Sequence, residues 1–136
     1  MEGQAVDVAA LLQEAGKAQQ ISYSPYSRFK VGAALLGKSG QVYTGTNIEN
    51  SSYGLSICAE RTALFNAINQ GEREFQAIAV KGSGKGYIYP CGACLQVLAE
   101  FAPQLQIIVG NEQDEWEDYL LSDLLPQAFK LSSQEG

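Results

Sequence analysis

Histidine is missing from this 136-residue sequence, and cysteine occurs only three times. A structural zinc is normally closed by four Cys or His ligands, so the chain cannot complete such a shell by itself. The odd cysteine number, together with an N-terminus (Met1-Glu2-Gly3-Gln4) that lacks the basic and apolar regions of an export signal, predicts a reducing, cytoplasmic setting. No run of about 18 apolar residues occurs, so neither a transmembrane helix nor a membrane partner is expected. Cationic residues are scarce too: 9 Lys and Arg stand against 15 Asp and Glu, a net charge of −6. Nucleic-acid affinity rests largely on cationic contacts to phosphate. This balance argues against a nucleic-acid partner and suits a small neutral substrate.

What is present reads as one globular domain over 1–136, with 46% hydrophobic residues and enough chain to bury a core. Val8, Leu11, Leu12 and Ala15 recur at helical spacing and predict an amphipathic helix over 5–19. The breaker-rich Tyr23-Ser24-Pro25-Tyr26-Ser27 follows as a loop. Phe29, Val31, Ala33 and Leu35 alternate as in a strand, Gly37-Lys38-Ser39-Gly40 is a hairpin turn, and 41–46 is the return strand. Residues 47–54 form a polar loop. Helices are expected from Cys58 to about Asn69 and from Cys91 to about Phe101, with strands over 75–80 and 105–109. Trp116 to Leu121 reads as a last strand or a turn, and Ser122 to Leu125 as a short helix. Helices alternating with strands indicate an α/β sandwich around one mixed sheet.

All three cysteines lie in two short stretches, Cys58-Ala59-Glu60 and Pro90-Cys91-Gly92-Ala93-Cys94, each opening a helical pattern. Cys91 and Cys94 are three apart, so both can face one point from the first turn of a helix. Cys58 reaches that point from another helix start. Three thiolates suit zinc, and three protein ligands with one open position are the catalytic form of a zinc site. Zinc lowers the pKa of a bound water to about 7. Three thiolates weaken this effect by donating charge. Two helix N-termini, each carrying roughly half a positive charge, offset the loss, and Arg61 adds a further cation. Glu60 stands in the same stretch and can accept the water's proton.

These two stretches resemble the zinc nucleoside and nucleobase deaminase signature in its three-cysteine form. Tyr26-Ser27-x-Phe29-x-Val31-Gly32-Ala33-Ala34, Asn47-Ile48-Glu49-Asn50, Tyr53-Gly54 and Leu124-Leu125-Pro126-x-Ala128-Phe129 further resemble the small homotetrameric cytidine deaminases. The resemblance runs from about Tyr26 to Phe129. It implies a three-layer α/β/α sandwich around a mixed, mostly five-stranded sheet, with one zinc per subunit on Cys58, Cys91 and Cys94. It implies that cytidine and deoxycytidine are deaminated, in pyrimidine salvage, with Glu60 carrying the proton from water to ring N3 and then to the departing amine. Asn47 and Glu49 would hold the ribose 3′-hydroxyl, Phe29 would lie against the pyrimidine, and the backbone at Cys58 and Ala59 would read the base. Tyr53 and Phe129 would reach the pockets of neighbouring subunits in a homotetramer.

Two positions depart from the family's pattern. Leu95 stands where many members carry an arginine, which leaves Arg61 alone to temper the thiolate charge, and Gly45-Thr46 replaces a frequent Gly-Cys. Glu49 also bears on substrate. A carboxylate at the sugar disfavours a nearby 5′-phosphate, which favours a free nucleoside, and blasticidin-type deaminases as a family lack this Asn-x-Glu pair.

Plainer readings stand beside each of these. Cys91 and Cys94 could be a redox dithiol, Cys58 a buried apolar residue, and Glu60 a solvated first-turn carboxylate. Phe29, Tyr53 and Phe129 could be packing residues, Asn47 and Glu49 turn residues, and Arg61 a surface ion-pair member. The rival functions are a deaminase of another aminopyrimidine nucleoside, of blasticidin-S type, and a non-catalytic zinc-binding module. Gly32 to Ser39 matches the phosphate-loop pattern GxxxxGK[ST], but that mechanism needs a loop opening into a helix. Strand-like residues on both sides predict a hairpin here instead.

Overall fold

A sheet of five strands in the order β2-β1-β3-β4-β5 forms the middle layer of the computed structural model, which describes residues 6–131. The chain runs α1 (Val8–Gln19), β1 (Val31–Gly37), β2 (Val42–Thr46), a 3₁₀ turn (Tyr53–Leu55), α2 (Ala59–Asn69), β3 (Phe75–Gly82), α3 (Gly92–Phe101), β4 (Gln106–Gly110), β5 (Trp116–Leu120) and α4 (Leu121–Leu124). β1 pairs antiparallel with both β2 and β3. β3 and β4 are parallel, and β4 and β5 antiparallel. The sheet is therefore mixed, as expected.

Parallel strands cannot be joined by a hairpin and need a crossover, usually a helix. α2 carries the chain from β2 to β3, and α3 carries it from β3 to β4. Both helices consequently start beyond the C-terminal ends of β2 and β3. Thr46 pairs with Gly32 and Gly82 with Val31, so the entry into β1 lies at that same end of the sheet. Topology thus gathers two helix N-termini and the Phe29 loop at one place.

α1 covers one face, where Leu11 and Ala15 pack on Ala34, Ala77, Ala79 and Ile108. α2 and α3 cover the other, where Ala63, Leu64 and Leu98 meet Leu35, Ile78, Val80, Ile107 and Val109. This is the three-layer arrangement, and it explains the nearly all-apolar β3. Two glycines set the spacing. A Cβ on Gly32 would lie 2.1 Å from the Ala15 carbonyl oxygen, and one on Gly45 would lie 2.2 Å from the Ala63 amide nitrogen. Each face admits its helix only because a side chain is missing beneath it.

The differences from the sequence reading are at element ends. α1 begins at Val8 because Asp7 caps it, accepting from the Ala10 N–H at 3.1 Å; Ala5 lies outside the described residues. β1 begins at Val31, two residues after the alternation suggests, because the Phe29 and Lys30 amides donate to the hydroxyls of Ser27 and Ser83 rather than to a neighbouring strand. Trp116 to Leu120 is a strand, at the sheet edge and mostly exposed. Residues 32–39 are β1 and its hairpin turn, with no helix following, so they form no phosphate loop. Among the described residues no helix is long and apolar enough to cross a membrane.

Candidate active site

Cys58 and Cys91 are the N-cap residues of α2 and α3, and Cys94 is the third residue of α3. The crossovers bring their sulfurs together within 4.8 Å of one another. Cys91 Sγ lies 3.5 Å from Cys94 Sγ and 4.0 Å from Cys58 Sγ. Sulfurs about 2.3 Å from a tetrahedral zinc are spaced roughly 3.8 Å apart, so this donor set suits that ion. All three cysteines are free of disulfides. Cys91 Sγ also accepts the Cys94 N–H, a first-turn amide of α3, at 3.5 Å.

Charge in the cluster is unevenly shared. The Cys58 thiol is lowered to about 5, by its hydrogen bond with Cys94 first and then by that from Arg61, whose Nη2 lies 3.5 Å from Sγ. Cys94 is pushed the other way, well above the ordinary thiol range, by the same bond to Cys58, by burial and by the charges of Glu60 and Cys58. The cluster accepts one anion readily and resists a second. A divalent cation among the sulfurs removes that resistance. The Arg61 Nε–H is buried with no acceptor among the described residues, a spare donor beside sulfurs that become full acceptors once ionised.

Glu60 is only 4% exposed. Burial raises its carboxyl to about 7, with the Cys58 charge adding to the effect and Arg61 opposing it. It is not a solvated first-turn carboxylate.

Glu60 shares a cavity of about 300 Å³ with Phe29, Asn47, Glu49, Cys58, Ala59 and Cys91. Such a volume lies at the lower end of small-molecule sites. Phe29 sits in the loop before β1, half-buried against the core cluster. Asn47 accepts on Oδ1 from Ser22 Oγ and from the Val31 N–H (2.9 Å), and Nδ2 donates to the Phe29 carbonyl (2.8 Å). Glu49 Oε1 accepts from the amides of Tyr26 (3.0 Å) and Ser27 (3.1 Å), and Oε2 accepts from Ser27 Oγ. A carboxamide has two N–H donors and a carboxylate about four acceptor positions. One N–H of Asn47 and one lone pair of Glu49 are left over, the complement of a single hydroxyl group. The Ser27 hydroxyl, followed by the two amides, holds the Glu49 carboxyl below the usual carboxylate range.

Tyr53 and Phe129 are not in this cavity. Tyr53 is 75% exposed and meets Tyr26 edge-to-face with centroids 6.2 Å apart. Phe129 is 68% exposed, yet its backbone is clamped. Gln96 Nε2 donates to its carbonyl and Gln96 Oε1 accepts its N–H, both at 3.0 Å. Leu95 is buried in the core cluster. The sequence reading did not single out Val31, Ser56, Ile57, Ile88 and Tyr89, which also line the cavity. Nor did it single out Ser22, Ser27 and Gln96, which tether the residues above. The available signals were closeness in sequence, of Ser56 and Ile57 to Cys58 and of Ile88 and Tyr89 to Cys91, and the place of Ser27 and Val31 in the motif around Phe29.

Residues 6–110 match the family model for the cytidine and deoxycytidylate deaminase zinc-binding region. The cytidine deaminase of Halalkalibacterium halodurans is 51% identical over 91% of this chain and 95% of that one. That of Sporosarcina psychrophila is 46% identical over 91% and 92%. Among solved structures, the cytidine deaminase of Burkholderia pseudomallei superposes with a TM-score of 0.88 at 50% identity, covering 91% of this chain and all of that one. The Mycobacterium tuberculosis enzyme gives 0.83 at 40% identity over 93% of this chain and all of that one.

Proposed function

This chain belongs to the cytidine and deoxycytidylate deaminase family, and from that membership we propose that it hydrolyses cytidine and deoxycytidine to uridine and deoxyuridine with release of ammonia, in pyrimidine salvage. One observation carries the reading. Two cysteines of the three-sulfur cluster, a buried carboxyl raised to about 7 and the Asn47–Glu49 pair line a single cavity of about 300 Å³, with Cys94 buried behind them.

Cys58, Cys91 and Cys94 would hold one zinc per subunit, which when bound supplies Lewis acidity enough to bring water to the hydroxide level near neutral pH. Glu60 manages the protons. A carboxyl that burial raises toward the working pH can take a proton and return it within one turnover. It would remove one proton from the attacking water and place it on ring N3, then take the second proton from the hydroxyl now on C4 and hand it to the amine as ammonia leaves. Oxygen enters and ammonia departs at the same carbon, so one water is consumed per nucleoside. Phe29 lies against the ring, and the backbone at Cys58 and Ala59 reads the base edge. Asn47 and Glu49 clasp the sugar 3′-hydroxyl between their remaining donor and acceptor. Arg61, permanently charged, offsets the thiolate charge without help from position 95.

The remaining features fit a cytoplasmic homotetramer of one-domain subunits (1–136) acting on free nucleoside. Three thiols that must not cross-link suit a reducing compartment. Exposed Tyr53 and Phe129, with backbones held in place, suit contact with neighbouring subunits' pockets. A net charge of −6 suits a small neutral substrate and no nucleic-acid partner. The purified zinc-loaded protein, offered cytidine, deoxycytidine, cytidine monophosphate and blasticidin S, should turn over the first two. Preference for the monophosphate or for blasticidin S would overturn the substrate assignment.

A further inference from the structure

Ser27 sits outside the sulfur cluster and is exposed, yet it joins two groups that face the cavity. Its hydroxyl donates to Glu49 Oε2 and accepts the Phe29 N–H at 3.0 Å. Its own amide donates to Glu49 Oε1 at 3.1 Å. A hydroxyl has one proton and two lone pairs, so one hydrogen atom and one lone pair of Ser27 are committed to these two partners. Asn47 closes the other side of the loop through the Phe29 carbonyl at 2.8 Å. The peptide units flanking Phe29 are thereby fastened to both side chains of the sugar end.

We propose that Ser27 is a positioning residue for substrate: its hydroxyl aims the Glu49 carboxylate at the sugar 3′-hydroxyl. The proposal rests on the reading of Glu49 as a sugar contact. Ser27 touches no reacting atom and acts through Glu49. The residue type matters. Alanine leaves Oε2 with a second lone pair unpaired and frees the carboxylate to rotate, whereas threonine keeps the hydroxyl. The Ser27 bond is also the first cause of the lowered Glu49 carboxyl, consistent with a donor that selects its charged, accepting form.

The test is steady-state kinetics on zinc-loaded wild type, Ser27→Ala, Ser27→Thr and Glu49→Gln, each with cytidine and with 3′-deoxycytidine. Hydrogen bonds to charged groups are worth enough to predict about a tenfold rise in cytidine KM for Ser27→Ala. The kcat should stay within about twofold, and 3′-deoxycytidine, which has no hydroxyl for Glu49, should show no KM rise. Ser27→Thr should restore the cytidine KM. Adding Ser27→Ala to Glu49→Gln should cause no further loss. Equal losses on both nucleosides, a loss in kcat alone, or additive losses in the double variant would overturn the proposal. Wild type that fails to distinguish the two nucleosides would instead overturn the sugar reading of Glu49, and the proposal with it. Misfolding of Ser27→Ala would show as lost zinc and lost secondary structure; Ser27→Cys, which keeps the side-chain volume but donates only weakly, then takes its place with the same expected and overturning outcomes.

Discussion

Glu60 is a carboxyl held where ionisation is expensive. Its raised pKa, about 7, has a consequence for the metal-free protein. The native state binds a proton between roughly pH 4.5 and 7 that the unfolded state has released, so stability falls as pH rises through that window. A shift of this size corresponds to about 3 kcal/mol. Metal-free Glu60→Gln should therefore be more stable than wild type at pH 8 by an amount of that order, and the gap should close by pH 4.5. Urea denaturation at the two pH values checks this. Arg61 acts in the opposite sense, lowering Cys58. Arg61→Ala should move the first thiolate of the metal-free protein up by about one pH unit, read from thiolate ultraviolet absorbance, and should speed zinc loss to a chelator. Cys58, Glu60, Cys91 and Cys94 were legible as chemistry because their types and spacing already specify it. Ser22 and Ser27 were not. Their value lies in bonds to Asn47 and Glu49, 25 and 22 residues away, and a serine in a turn-rich loop gives no hint of such partners.

The two crossover helices place the chemistry, and what places them is the close approach at the sheet. Gly45 lets α2 lie against β2. Gly45→Ala puts a methyl group into the Ala63 backbone, which cannot yield as a side chain can. We expect a loss of about 1–3 kcal/mol, measured by thermal or denaturant unfolding. Activity should fall as well, because α2 carries Cys58 and Glu60. Element types were largely readable, since hydrophobic periodicity separates helix from strand. Ends were not. Phe29 keeps the alternation of β1 but precedes it, because its amide bonds to the Ser27 hydroxyl and not to a strand, a pairing that leaves no periodic trace. β5 was ambiguous because an exposed edge strand, Trp-Glu-Asp-Tyr-Leu, has no buried face to impose a period of two.

Beyond the single subunit, several large apolar side chains stand exposed, among them Ile21 (79%), Tyr53 (75%), Leu55 (72%) and Phe129. Two of these residues are the aromatics that the resemblance assigns to neighbouring pockets. Phe129→Ala should raise the cytidine KM by about tenfold or more while zinc content stays unchanged. Sedimentation should show a tetramer for wild type, with activity per subunit falling on dilution into dissociated protein. A fully active monomer would refute the shared-pocket reading. The expected subunit contacts rest on resemblance alone, because a single chain's hydrophobic pattern does not say which exposed aromatic another copy will cover.

Ultraviolet-monitored loss of cytidine, run on wild type beside Glu60→Gln with zinc measured in both, decides whether this cavity is a deaminase site. The arrangement of Glu60 and the three cysteines predicts turnover by wild type and a loss of at least about 10²–10⁴-fold in the variant at equal zinc. Equal turnover by both proteins would remove Glu60 from the chemistry, and no turnover from fully zinc-loaded wild type would contradict the cytidine assignment.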